Sequence, residues 1–530
     1  MQSTVDYLIV GGGSSGCALA GRLSEDANTQ VLLLEAGGKG DNWLVNTPAA
    51  VVLMVPKKFN NWAFETVPQP GLNGRKGYQP RGKVLGGSSS INAMAYIRGH
   101  RNDYDEWAAL GNAGWSFDEV LPYFKRSEDN RRIKNEMHGQ GGPLVVSDLQ
   151  TDNPFQGHYL EAARQVGYPI NEDFNGTEQE GVGLYQVTQE NGERWSSYRG
   201  YIKPHLDTRS NLRVETGAQT QRILFEGKRA VGVEYKQGGR LLTVMARKEV
   251  ILCAGAFQSP QLLMLSGIGD AAELQKHGIP VVHHLPGVGK NLKDHPDFIF
   301  GYKSNDSNLL GISLKGGLHL FKQIARYRRE RRGLVSSNFA EGGAFLKTNP
   351  DLPAPNIQLH FVIALVDDHA RTLHPGHGLS CHVCLLRPRS TGSVTLRDSN
   401  PDSPPLIDPQ FLSDPADVEE LVAGYKMTEK LMKAPALAQF ITEDPFTAQV
   451  KTDDDIRAIL RQRTDTVYHP VGTCKMGIDD MAVVDPSLRV HGIEGLRVVD
   501  ASIMPTIIGG NTNAPAIMIA EKAADLIRQG

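Results

Sequence analysis

Cysteine is scarce in this chain of 530 residues, and a small, odd number of cysteines argues against a disulfide framework and favours a reducing compartment. The five are Cys17, Cys253, Cys381, Cys384 and Cys474. Cys381 and Cys384 lie in an apolar, strand-like segment, and no second Cys/His pair with zinc-like spacing accompanies them. Because a structural zinc needs four ligands, we predict core packing for both cysteines and no metal site.

Long apolar runs and a strong charge of either sign are also missing. No segment approaches the ~18 apolar residues that span a bilayer. The first residues run directly into a strand without the regions of a signal peptide. The formal net charge of -3 gives no indication of a nucleic-acid partner. We therefore expect a soluble, cytoplasmic protein of two or three domains.

Glycine, by contrast, is frequent, and three glycines near the N-terminus form a recognisable turn. The apolar segment 7–10 predicts a strand that ends at Gly11, and residues 14–24 predict a helix. In a dinucleotide-binding turn Gly11 permits the tight bend, Gly13 lets the backbone approach a pyrophosphate, and Gly16 lets the helix pack on the strand. The sequence therefore predicts a nucleotide site at this turn.

The rest of this unit supports the same interpretation. Ser14 and Ser15 open the predicted helix, and free N–H groups at a helix N-terminus bind phosphate. Residues 31–34 predict a second buried strand, which ends at Glu35. A carboxylate at that position can accept hydrogen bonds from both ribose hydroxyls, which disfavours NADP. The unit alone leaves FAD and NAD open.

A second segment rich in glycine and serine covers residues 80–92. Gly86 and Gly87 precede three serines that begin at Ser88, and Asn92 follows them. Such a loop presents many backbone donors with little side-chain bulk, which suits contact with a phosphate or a planar polar cofactor.

The C-terminal region contains the residues suited to proton transfer. Pro470 favours an extended conformation at His469, and histidine changes charge near neutral pH, as a general base requires. Asn511 and Asn513 precede a predicted final helix, residues 514–527. The N-terminus of that helix offers positive potential to an electron-rich ring.

Together these segments resemble the glucose-methanol-choline (GMC) oxidoreductase family over essentially the whole chain. Residues 81–99 and 255–269 resemble its two signatures, and 286–295 and 497–502 resemble further family segments. The active pair of that family is a histidine followed by a histidine or asparagine 44 positions later. His469 and Asn513 have that spacing.

The resemblance implies an α/β fold with a Rossmann-like FAD-binding domain and an inserted α+β substrate-binding domain, an antiparallel sheet flanked by helices. The expected FAD-binding parts are 1–155, 201–300 and 465–530, and the expected substrate-binding parts are 156–200 and 301–464. The implied cofactor residues are Gly11, Gly13, Ser14, Ser15, Gly16, Glu35, Gly86, Ser88, Asn92, Asp500, Ala501 and Asn511. Some members attach flavin covalently through a histidine where this chain has Ile91, so we expect noncovalent FAD.

The implied reaction is oxidation of a primary alcohol, medium-chain aliphatic or aromatic, to its aldehyde. His469 would take the hydroxyl proton, Asn513 would donate a hydrogen bond to the oxygen, and hydride would pass to flavin N5. Trp62, Glu341 and Tyr468 are the expected substrate-pocket residues, and Trp62 with Glu341 could also form an ammonium cage. A choline dehydrogenase, an oxygen-using alcohol oxidase and an FAD-containing lyase remain alternatives.

The segment 314–332 is basic and amphipathic, with seven basic side chains against one acid. Leu314, Leu318, Phe321 and Ile324 form one apolar stripe at helical spacing. Such a helix can lie on an anionic membrane, here the inner face of the plasma membrane, which suits a quinone as electron acceptor. The alternative is a helix packed on its own substrate-binding domain.

Overall fold

The predicted β-α-β unit lies in the middle of the first of two seven-stranded sheets. The structure, a computed structural model, describes residues 3–529. In the first sheet the strand order is Leu212–Thr216, Val31–Glu35, Ser3–Val10, Arg240–Leu252, Arg229–Gln237 and Ala218–Glu226, and Leu496–Val498 pairs with the end of Arg240–Leu252. The first four strands of this order, from Leu212–Thr216 to Arg240–Leu252, are parallel to one another. The last two, Arg229–Gln237 and Ala218–Glu226, each pair antiparallel with the strand before them.

The second sheet is antiparallel and lies mostly in the middle of the chain. Its order is Asp465–Thr466, Pro296–Ser304, Gly376–Leu385, Ile357–Val362, Ala340–Leu346 and Gly181–Leu184, with Gly311–Ile312 also on Gly376–Leu385. Cys381 and Cys384 are buried in strand Gly376–Leu385, as predicted. The fold class predicted from the sequence is confirmed. The residue bounds of the two domains stay a prediction, and the bound at 300 falls inside strand Pro296–Ser304.

Helices surround these sheets: Ser14–Leu23 packs on the first, and Pro415–Met432 packs on the second. Those of five residues or more are Ser14–Leu23, Arg101–Ala109, Phe117–Ser127, Phe155–Val166, Ser197–Tyr201, Gly255–Leu265, Ala271–Lys276, Leu314–Glu330, Pro415–Met432, Asp453–Arg463 and Asn513–Arg528. A proline is unfavourable in a helix interior, yet Pro122 lies inside helix Phe117–Ser127. Within residues 3–529, no helix has the length and apolarity to cross a bilayer.

The first and last helices pack side by side and bring the two ends of the chain together. The Ser15 hydroxyl donates to the carbonyl of Ala516 at 2.9 Å. Deeper in the interface the buried Glu521 carboxylate accepts from both Arg22 and Arg126. The N-terminal glycine turn and the N-terminus of the final helix therefore face the same space.

Close packing at Gly16 generates a test of this turn. A Cβ at Gly16 would lie 1.9 Å from the Gly11 carbonyl oxygen, so Gly16→Ala must displace the helix from the first strand. We expect about 1–3 kcal/mol of lost stability, measured by thermal unfolding, together with lost yellow FAD absorbance. Gly157→Ala is the matched control, because nothing lies within 4 Å of a Cβ there. Equal behaviour of the two variants would contradict the proposed role of Gly16.

Candidate active site

A single cavity connects the glycine turn of the first sheet with one face of the second sheet. At one end it is lined by Gly13 and Glu35, and at the other by His469 and Val366. The remaining predicted cofactor residues that line it are Gly11, Ser14, Ser15, Ser88, Asn92, Asp500, Ala501 and Asn511. Gly16 and Gly86 shape the backbone behind this lining.

The dinucleotide end of the cavity fits the adenosine and pyrophosphate of FAD. A Cβ added at Gly13 would meet no atom closer than 3.9 Å, so the backbone there is open to a ligand. Gly11 adopts φ +102°, a conformation that glycine tolerates best. The buried Glu35 carboxylate accepts hydrogen bonds from the N–H groups of Gly12 and Gly37. Burial raises its pKa to about 7 despite these bonds.

The middle of the cavity is lined by the second glycine segment and by the Asp500 turn. The Asp500 carboxylate accepts from Ser259 at 2.5 Å and from the N–H groups of Gly255 and Ser502. Ile91 lines the cavity and supplies no nucleophile for covalent attachment of flavin. These polar backbone surfaces and fixed side chains are consistent with noncovalently bound FAD.

His469 lies at the substrate side of the cavity and is only 7% exposed. Its backbone N–H donates to Asp294 Oδ1 at 2.8 Å, which fixes the chain at this point. The ring nitrogens have separate neighbours: Nδ1 is 3.0 Å from His295 Nδ1, and Nε2 is 3.1 Å from Asn511 Nδ2. Burial, with smaller effects of nearby positive or ionisable groups, holds the pKa of His469 well below its ordinary value of 6.5.

The amide beside the His469 ring is that of Asn511, whereas the 44-residue spacing predicted Asn513. Asn511 Oδ1 accepts from Gln358 Nε2 at 3.0 Å, which leaves its Nδ2 to face His469. Asn513 lines the same cavity, but its Oδ1 accepts from the Ser14 hydroxyl at 2.8 Å. The two asparagines thus face different partners: Asn511 faces the histidine, and Asn513 faces the dinucleotide helix.

Two of the three expected substrate-pocket residues line the cavity, and the third does not. Trp62 and Tyr468 line the cavity, and Tyr468 adopts a strained φ of +74° directly before His469. Glu341 is not part of the lining; its carboxylate is buried and accepts from Ser337 and Gln156. The Lys83 ammonium lies 3.9 Å from the centre of the Trp62 ring. Trp62 and Glu341 therefore do not form the suggested ammonium cage.

Three further side chains line this region that the sequence did not identify. His360 and His382 are directly paired across neighbouring strands of the second sheet, and His382 Nδ1 lies 2.6 Å from Asp297. Polar residues at alternate positions of an apolar strand could have indicated the His360 face. Burial lowers the pKa of Arg81, the third side chain, to about 10.

The cavity thus has a dinucleotide-binding end at the N-terminal glycine turn and a second end at His469. This arrangement is typical of an enzyme that holds a dinucleotide cofactor beside its substrate. Profiles of the GMC oxidoreductase family match residues 5–297 and 388–520. The chain belongs to this family and is an FAD-binding oxidoreductase, which confirms the predicted resemblance and cofactor.

Named relatives and solved structures agree with this membership. The chain is 47% identical to "Alcohol dehydrogenase [acceptor]" of Pseudomonas putida, across 98% of this chain and 95% of that protein. It is 44% identical to "Choline dehydrogenase, mitochondrial" of Homo sapiens, across 98% and 89%. Pyridoxine 4-oxidase from Mesorbium loti matches with a TM-score of 0.90 and 30% identity over 99% of each chain. A variant of the formate oxidase of Aspergillus oryzae RIB40 gives 0.92 and 29%, over 100% and 99%.

Proposed function

We propose that the enzyme oxidises a primary alcohol, medium-chain aliphatic or aromatic, to its aldehyde. The observation that carries this proposal is the contact between His469 Nε2 and the Asn511 amide inside the cavity that holds the predicted FAD site. An unprotonated imidazole nitrogen and an amide N–H together can hold one hydroxyl oxygen. One group accepts the hydroxyl proton and the other stabilises the developing negative charge.

The steps assigned to the protein follow from these positions. In this mechanism the alcohol hydroxyl replaces the hydrogen bond between Asn511 Nδ2 and His469 Nε2. His469 then takes the hydroxyl proton at Nε2, and Asn511 donates its Nδ2 hydrogen to the alcohol oxygen. Gln358 orients that amide through Oδ1. FAD, when bound, supplies the hydride acceptor for the carbon-bound hydrogen. Asn513, the amide expected from the spacing, is assigned instead to the orientation of Ser14 at the dinucleotide turn.

The lining favours a neutral substrate. Of the described residues that line the cavity, only Glu35 and Asp500 carry carboxylates, and both belong to the cofactor side. The substrate side includes apolar Val362 and Val366 and the cationic Arg81. Aromatic rings such as Tyr468 line the cavity, but no carboxylate of the described lining residues lies on the substrate side to pair with a quaternary ammonium. Choline dehydrogenase is therefore the weaker candidate.

We further propose a quinone-type electron acceptor. The name of the 47% identical relative indicates an electron acceptor without specifying it. The exposed, basic, amphipathic helix Leu314–Glu330 supports an acceptor in the membrane, such as a quinone. Oxidases among the solved structures, at 29–30% identity, make oxygen the alternative acceptor.

An anaerobic substrate panel tests the function. We expect octanol and benzyl alcohol to bleach the yellow flavin at rates at least tenfold above choline, since no carboxylate of the substrate side holds a cation (~1.4 kcal/mol). Air or a quinone analogue is then admitted to compare reoxidation. Faster bleaching by choline would contradict the substrate class, and no bleaching by any alcohol would support the lyase alternative.

Variants separate the roles of the two asparagines. His469→Ala should lower anaerobic flavin reduction by roughly 10²–10⁴-fold with FAD still bound. Asn511→Ala should lower it by roughly 10²-fold, as for loss of one oxyanion donor, with FAD affinity kept. Asn513→Ala is the matched control and should mainly weaken FAD binding. The opposite pattern for the two asparagines would restore the spacing-based assignment.

The lowered pKa of His469 predicts the pH dependence of flavin reduction. The base must be unprotonated, and burial keeps His469 unprotonated even at pH values below 6.5, its ordinary pKa. The rate should therefore stay level from pH ~8 down to pH ~6 and decline only in more acidic solution. A decline that begins already above pH ~7 would contradict this protonation state.

Membrane contact through the helix Leu314–Glu330 remains a separate proposal. Leu318 and Phe321 are 62% and 71% exposed, so the predicted apolar stripe does not pack on the substrate-binding domain. Lys322 and Arg328 are basic neighbours of this stripe. An exposed apolar face with basic flanks supports contact with an anionic lipid surface.

Cosedimentation with vesicles tests this contact. We expect binding to vesicles that contain phosphatidylglycerol, reduced at high salt because the attraction is partly electrostatic, and lost on the double substitution Leu318→Ser and Phe321→Ser. Leu241→Ser is the control, since Leu241 is 60% exposed on a distant strand. Absence of binding at low salt would contradict the proposal.

A further inference from the structure

We propose that His295 is a positioning residue that fixes the tautomer of His469, with the proton on Nδ1 and the lone pair on Nε2. The inference rests on the proposed function and adds a reason why the base is ready to act. A neutral imidazole can carry its proton on either nitrogen, and only the Nδ1-protonated form offers Nε2 to an alcohol.

The two imidazoles meet edge to face in a closed part of the protein. Their Nδ1 atoms are 3.0 Å apart, the ring planes cross at 87°, and His295 is fully buried. The other nitrogen of His295, Nε2, lies 3.1 Å from the carbonyl oxygen of Leu386. Each ring therefore has one nitrogen in the shared contact and one with a separate neighbour.

The Leu386 carbonyl decides the direction of this chain of hydrogen bonds. A carbonyl oxygen only accepts, so His295 Nε2 must carry a proton. Burial lowers the pKa of His295 to about 3, although the carbonyls of Leu386 and Ile508 favour the protonated ring. A neutral His295 with its proton on Nε2 has an unprotonated Nδ1, which accepts. His469 Nδ1 must then be the donor.

The second neighbour of His469 agrees with this result. Gln358 donates to Asn511 Oδ1, so Asn511 presents its N–H group to His469 Nε2. An N–H group needs an acceptor, and Nε2 can accept only if it is unprotonated. Two independent ends of the network, Leu386 and Gln358, thus require the same tautomer.

No carboxylate among the described residues is hydrogen-bonded to either ring. The nearby Asp294 accepts from the backbone N–H groups of His469 and His295 and from the Thr466 hydroxyl. The charged and titratable groups that face His469 are His295, His360 and Arg81. A neutral imidazole therefore orients the base here without adding negative charge, which would raise the pKa of the base.

Nitrogen NMR of the FAD-loaded enzyme reads the tautomer directly. With ring-¹⁵N histidine, the ring signals of His469 are identified among those of the 16 histidines by their loss in His469→Gln. We expect a protonated Nδ1 and an unprotonated Nε2 for His469. A protonated Nε2 in the wild-type enzyme would overturn the proposal, even if alcohol still bleached the flavin.

Two substitutions of His295 separate positioning from packing. His295→Gln offers an oxygen to His469 Nδ1 and an amide N–H to Leu386, so the tautomer and the flavin reduction rate should be retained within a few-fold. His295→Leu removes the acceptor, so the His469 signals should show a tautomer mixture and the rate should fall by on the order of 10²-fold. Loss of thermal stability with an unchanged His469 tautomer would reduce His295 to a packing role. Normal tautomer signals but no alcohol oxidation would instead count against the proposed function.

Discussion

The contact between the first and last helices is the constraint on which the active site depends. The N-terminal turn supplies the dinucleotide cradle, while His469 and Asn511 come from the C-terminal part of the chain. Ser14 and Ser15 bind the final helix directly through Asn513 and the Ala516 carbonyl. A shift between these helices would therefore move the dinucleotide cradle relative to Asn513 and the neighbouring Asn511.

A buried cluster of ion pairs around Glu521 stabilises the contact between the two helices. Glu521 is fully buried and accepts from Arg22, Arg126 and the Tyr201 hydroxyl. A buried carboxylate is tolerated only when it is fully paired, and removal of one partner typically costs about 3–5 kcal/mol. The pairing thus makes the relative position of the two helices specific, because slippage would leave a buried charge without its partners.

The substrate side follows a different electrostatic rule. The proposed base, His469, lies among neutral imidazoles, amides and one buried guanidinium, Arg81. In this environment the neutral form of His469 is favoured. Under the proposed function, negative charge that develops on an alcohol oxygen would meet donors such as Asn511. The absence of a carboxylate partner for the His469 ring among the described residues is consistent with that role.

Much of this architecture could be predicted from the sequence, because local patterns of residues indicate it. The strand, turn, helix and acid from Ser3–Val10 to Glu35 follow from glycine spacing and apolar periodicity. The family resemblance, confirmed by the comparisons, supplied the second sheet and His469. The 44-residue spacing predicts Asn513 as the partner of His469, and that role stays a prediction. Local spacing could not show that Asn511 lies beside the ring and Asn513 beside Ser14, because these contacts involve Gln358 and Ser14, which are distant in sequence.

Other features depend on contacts that no local pattern encodes. Glu341 was a reasonable pocket residue by type, but strand Ala340–Leu346 directs its carboxylate to Ser337 and Gln156. His295 lies in the segment 286–295, which resembles a family segment. Its proposed role in orienting His469 follows only from the position of the Leu386 carbonyl beside its Nε2. Hydrogen-bond direction is a property of the assembled network, not of any one motif.

The most direct test of the central claim is a crystal structure of the FAD-loaded enzyme with a fluorinated alcohol, which binds but is a poor hydride donor. The account predicts one hydroxyl oxygen within about 2.6–3.2 Å of both His469 Nε2 and Asn511 Nδ2. A hydroxyl held by the His382 and Asp297 pair instead, with His469 Nε2 out of reach, would contradict it.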